Sequence, residues 1–85
     1  MGRYGLTIMP LSVARAGSVN VTIREVKVDD ELKFRLYYMG LFPGASIRII
    51  RNDGFSPVIV EVQESLIAIS RDTADSILVE VEEMW

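Results

Sequence analysis

The chain has 85 residues, 49% of them hydrophobic, with no cysteine, no histidine and a formal net charge of −3. That length supports one small domain around one core, and the apolar share excludes a disordered type of composition. The missing cysteines exclude a disulfide framework, and Lys and Arg scattered singly on an acidic background argue against a nucleic-acid footprint, which needs a basic stripe.

Residues 1–16 (MGRYGLTIMPLSVARA) show little periodicity. Gly2 and Gly5 predict a loosely structured start, with a short turn or helical segment around Pro10-Leu11-Ser12. Leu6, Ile8 and Leu11 are expected to tuck onto the core. Arg3, the apolar stretch 6–13 and Ala14-Arg15-Ala16 trace the outline of a signal peptide, but the stretch is short for one and carries Pro10. Gly2 lacks the following Ser or Thr that myristoylation requires. No apolar run approaches the roughly 18 residues of a membrane span. A cytoplasmic protein without direct membrane insertion is the expectation.

Residues 17–28 (GSVNVTIREVKV) alternate, with Val19, Val21 and Ile23 on one face and Asn20, Thr22 and Arg24 on the other. This period of two marks a half-buried strand. After Ile23 the phase slips by one, because Val26 and Val28 stand where positions 25 and 27 are due. A β-bulge near Arg24-Glu25 restores the faces and bends the strand, which suits a small barrel.

Asp29-Asp30-Glu31 then offers N-cap oxygens and negative charge to the free N–H groups of a helix. Residues 32–39 read as that helix, about two turns long. Gly40 fits the position just past its end, where a positive φ is cheap only without a Cβ, and Pro43-Gly44 matches the central pair of a type II turn. Next come a strand at 45–51 (ASIRIIR), the hairpin signal Asn52-Asp53-Gly54, a strand at 58–63 (VIVEVQ), the polar turn Gln63-Glu64-Ser65 and a strand at 66–69. Ser70 caps a short helix at 71–76, and 77–82 (ILVEVE) closes the chain as a last alternating strand. The pattern predicts a mainly β protein: a small, partly open barrel of about five strands, with a short helix after the first and a helical turn before the last. Leu36, Met39, Leu41, Ile47, Ile49, Val60 and Val79 are assigned to its core.

Without His or Cys the usual nucleophile–base pairs and soft metal sites are missing, and no Gly-rich phosphate loop occurs. Glu80, Glu82 and Glu83 form the densest carboxylate group, but Glu80 and Glu82 share one strand face, the wet one, so solvation explains them better than a cation does. Asp29-Asp30-Glu31 is explained by helix capping. No catalytic residue, cofactor or metal ligand is expected, and the chain reads as a non-enzyme.

From about Leu11 onward the order of elements resembles the FeoA family, small cytosolic partners of the bacterial ferrous-iron transporter FeoB. The segment Met39-Gly40-Leu41-Phe42-Pro43-Gly44 is similar to the family's Leu-Gly-[Leu/Met]-[Val/Leu]-Pro-Gly after its helix. Ile47-Arg48-Ile49-Ile50-Arg51, Ser56-Pro57-Val58-Ile59-Val60, Leu66-Ile67-Ala68-Ile69 and Ile77-Leu78-Val79-Glu80-Val81 match its later strands. The loop 52–56 is shorter than usual and lacks Leu-Gly-Asp-Pro, and Glu64 stands where many relatives have glycine or a basic residue. The resemblance implies an SH3-like barrel, a place in iron homeostasis and FeoB as partner. The same barrel ends some metal-dependent repressors of the DtxR type. Here the domain reads as free-standing, which gives an alternative function as a metal- or peptide-sensing module.

One surface follows from helical spacing alone. At roughly 100° per residue, Leu32, Leu36 and Met39 share one side with Tyr37 beside them, while Phe34 and Tyr38 lie opposite, four apart and adjacent. Such an aromatic pair is a candidate anchor for a partner protein, and Phe42 at the turn tip extends it. Three occupants compete for it: the chain's own ends (Tyr4, Leu6 or Trp85), a partner, or a second copy in a weak homo-oligomer. Gly40, Pro43 and Gly44 are structural turn residues.

Overall fold

The computed structural model describes residues 4–84. Six strands form one antiparallel sheet: β1 (Tyr4–Pro10), β2 (Val19–Val26), β3 (Ser46–Arg51), β4 (Val58–Val62), β5 (Ser65–Ile69) and β6 (Ile77–Met84), in the order β1-β6-β2-β3-β4-β5. Two short helices interrupt them, α1 (Asp30–Tyr38) and α2 (Arg71–Asp75), with a single 3₁₀ turn at Leu11–Val13. This is the mainly β, partly open architecture that the alternation predicts, of the SH3-like kind that the family resemblance implies, with six strands rather than about five.

The additional strand is β1, in the segment predicted to be loose. It pairs with β6 over its whole length, from Tyr4 opposite Met84 to Pro10 opposite Leu78. α1 therefore follows the second strand and not the first. Leu6 and Ile8 face solvent, 61% and 52% exposed, whereas Leu11 is fully buried. The register explains the inversion. Leu6 stands opposite Glu82 and Ile8 opposite Glu80, and directly opposed residues share a sheet face. β6 buries Val79 and Val81, so the face bearing its glutamates points outward and carries Leu6 and Ile8 with it.

β2 contains the bulge expected at Arg24: Ile23 opposes Val79 and Glu25 opposes Leu78, leaving one residue extra. A second irregularity lies between Val19 and Thr22, where Asn20 has a φ of 51°. This extra residue breaks the alternation, so Val19 is exposed while Val21 and Ile23 are buried. The solvated face of β6 carries Arg24–Glu80 at 3.4 Å and an amide donation from Asn20 to Glu82. Exposed pairs of this kind contribute about 0–1 kcal/mol each.

The core is built from the inward residues of the central strands: Val21 and Ile23, Ile47 and Ile49, Val58 and Val60, Ile77 and Val79, all buried. Each such side chain removed from water stabilises the fold by roughly 1.5–3 kcal/mol. Leu36 and Leu41 close one end of it. Met39, assigned to the core from its helical position, is exposed instead. The helix has ended by then, and Leu41 swings back to take the inward place.

Candidate functional site

α1 is fastened at both ends. The Asp29 carboxylate accepts the Leu32 N–H at 2.9 Å, satisfying one of the free donors of the first turn. At the other end the Leu41 N–H reaches the Leu36 carbonyl at 2.9 Å and the Gly40 N–H reaches that of Tyr37 at 3.0 Å. Those two bonds are a Schellman motif, with Gly40 in the left-handed position at φ 94° and the Leu36–Leu41 pair buried beneath. The Ala45 N–H then closes the Phe42-Pro43-Gly44-Ala45 turn on the Phe42 carbonyl at 2.9 Å, with Gly44 also at φ 94°. Gly44 donates to the Ile23 carbonyl and Ile23 to that of Ala45, at 2.7 and 2.9 Å. Helix, turn and β3 are thus tied to the bulged middle of β2. Gly40, Pro43 and Gly44 occupy the structural positions expected of them.

This frame projects the opposite side of α1 into solvent. Phe34 is 66% exposed and Tyr38 95% exposed. With Arg35 and Met39 they line a shallow, mostly apolar concavity of about 330 Å³. Phe42 does not join them. It lies edge-on to Tyr37, ring centroids 6.5 Å apart at 74°, and is 38% exposed. Such T-shaped pairs stabilise by about 0.5–1.5 kcal/mol beyond their buried area, which pins the turn to the helix. Of the proposed coverings, Leu6 lies on β1 with its side chain in solvent. Trp85 and the Tyr4 side chain lie outside what is described.

Two more residues complete the surface: Arg35, which helical spacing did not single out, and Met39, which it assigned to the core. Arg35 and Met39 also line a second groove, of about 250 Å³, between α1 and the free edge of β5, with Leu32, Leu36, Ile67 and Ile69. Among the described residues no carboxylate pairs with Arg35. A cation placed between two apolar stripes of a helix was the sequence signal for this junction.

The described residues hold no group of three acidic side chains arranged to bind a metal ion. None of their helices is long and apolar enough to cross a membrane. The asparagine–aspartate turn has a capping role: the Asp53 carboxylate accepts the N–H groups of Phe55 and Ser56 at 2.8 and 2.7 Å, which, with weaker help from Arg51, lowers its pKa to about 2.

No curated protein matches the chain in sequence. Among solved structures, an iron uptake regulatory protein, FeoA, superposes with a TM-score of 0.80 at 25% identity, covering 88% of this chain and 99% of that one. Iron(II) transport protein A from Clostridium thermocellum gives 0.76 at 31% identity over 86% of this chain and 45% of its own. T. acidophilum IdeR gives 0.73 at 30% identity, covering 87% of this chain but only 34% of that protein. The FeoA domain model matches residues 9–81, from the last two residues of β1 to the middle of β6. The chain therefore belongs to the FeoA domain family of small accessory proteins, with the role in ferrous iron transport which that membership implies.

Proposed function

We propose that this protein is a cytoplasmic accessory of ferrous-iron uptake that docks on the cytosolic part of a FeoB-type transporter and tunes its activity. The reading is carried by the solvent-facing Phe34–Tyr38 pair on a helix capped at both ends. Aromatic side chains dominate hot spots, and a pre-formed helix loses little freedom on binding. The protein acts by contact and not by turnover. Its effect on the transporter comes from unequal affinity for the transporter's states, since a partner that binds all states equally shifts none of them. The test is capture by immobilised FeoB cytosolic domain, wild type against the Phe34→Asp/Tyr38→Asp double variant. The expected result is a loss of about tenfold or more in affinity. Undiminished capture of the double variant removes the surface, and no capture of wild type removes the role.

The likeness to T. acidophilum IdeR supports a second reading, a free-standing sensing domain. It predicts saturable binding of Fe(II), Mn(II) or a short peptide by the whole chain. An amide spectrum unmoved by either metal counts against its metal form.

A further inference from the structure

β5 ends the sheet on one side, and among the described residues no strand flanks its outer edge. Its sequence, SLIAI, contains neither a proline nor a charge, the usual devices that keep an edge from pairing. Gln63 and Glu64 form a two-residue turn that leaves Val62 opposite Ser65. In such a hairpin the closing pair is hydrogen-bonded, so alternation turns the N–H and C=O groups of Leu66 and Ala68 away from β4. Beside that edge runs the groove walled by Leu32, Leu36 and Met39 of α1 and floored by Ile67 and Ile69. Arg35 stands on its rim without an ionic partner among the described residues, in a chain whose net charge is −3.

We propose that the groove between α1 and the outer edge of β5 takes an extended segment of the partner protein, alternately apolar and carrying one acidic residue. The segment adds to the sheet beside β5 and sets its carboxylate against Arg35. This rests on the docking role above and specifies the form of the docked chain. The unmet backbone groups of Leu66 and Ala68 require an extended backbone, the groove requires apolar side chains at alternate positions, and Arg35 sets the sign of the charge. A second copy is a poor occupant. The chain's own acidic–apolar strands are β4, held between β3 and β5, and β6, held between β1 and β2.

The isotope-labelled full chain is titrated with a blocked synthetic peptide of alternating valine and threonine with one central glutamate, and with the same peptide carrying lysine there. Saturable amide shifts largest at Leu66 and Ala68 are expected, with about threefold weaker binding of the lysine peptide. Arg35→Gln erases that preference. Ala68→Pro removes an outward N–H while sparing the β4–β5 ladder, and abolishes binding with the native spectrum retained elsewhere. No saturable shift, shifts centred on β1 or on Phe34 and Tyr38 alone, equal affinity for both peptides, or binding that survives Ala68→Pro would each overturn the proposal. Capture by FeoB reads a different property. Loss on Phe34→Asp/Tyr38→Asp alongside a silent β5 keeps the docking role and removes the added strand, and the reverse pattern keeps the groove and removes the transporter.

Discussion

Arg71 on α2 donates to the carbonyl of Ser12 at 2.6 Å, and that same oxygen accepts the Asn52 amide at 3.0 Å. Arg71 also donates to the Asn52 side-chain oxygen at 2.8 Å and to the Ser56 carbonyl at 3.2 Å, while Asn52 donates to the carbonyl of Ala14 at 2.7 Å. Three distant segments, the 3₁₀ turn, the β3–β4 loop and α2, are held by one guanidinium and one amide. Arg71→Ala is expected to destabilise the protein by about 2 kcal/mol, since it deletes charge-assisted bonds and strands partly buried carbonyls. In a double-mutant cycle with Asn52→Ala, read from urea midpoints, the coupling should be about 1 kcal/mol, as befits groups sharing one acceptor.

Gln63 and Glu64, at φ 49° and 67°, form the β4–β5 turn in a conformation that L side chains resist. The type I′ geometry favours Asn-Gly, with glycine second. Glu64→Gly should therefore stabilise by about 0.5–1 kcal/mol, the relief of left-handed strain exceeding the flexibility added to the unfolded chain. A lowered urea midpoint would show that Glu64 makes a compensating contact.

Gly40 and Gly44 share a φ of 94° but differ in surroundings. A Cβ at Gly40 would meet the Val62 Cγ2 at 3.2 Å, whereas nothing lies within 4 Å of one at Gly44. Each Ala substitution should cost about 1–2 kcal/mol for the backbone. Gly40→Ala should cost more, because Val62 is buried and has little room to give. Thermal melts of the two variants side by side measure the difference.

Acid should weaken the fold partly through Asp53, whose pKa falls from 3.8 to about 2 on folding because Phe55 and Ser56 donate to it. A group with a depressed folded pKa stabilises fully above its unfolded value, and that share is lost as pH falls through about 4 towards 2. Asp53→Asn keeps an acceptor but does not titrate, so its urea midpoint should fall less steeply over this window.

Much of this architecture was legible in the sequence. The β2 alternation and its slip located the bulge at Arg24, Asp29 and Gly40 bounded the helix, and Pro43-Gly44 gave the turn. β1 was not legible because it is an edge strand whose inward residues include Gly5 and Thr7, while its strongest apolar residues, Leu6 and Ile8, face out. Hydrophobic alternation assigns faces only where the apolar set is the buried one. Val19 escaped for a related reason, since the left-handed Asn20 has no marker beyond asparagine's tolerance of that conformation. Helical spacing placed Phe34 and Tyr38 together correctly. Of the groove that adjoins them the sequence carried one trace, the cation Arg35 between two apolar stripes; its β5 wall was not legible, because no periodicity reports which edge a helix lies along.

The pairing of Tyr4 with Met84 has a kinetic meaning. The β3–β4–β5 meander closes over short loops at small entropic cost, whereas the β1–β6 seam must gather nearly the whole chain before it forms a single bond. The β1–β6 seam zips last during folding and comes apart first under strain, so amide protection should fade from the meander outward to it.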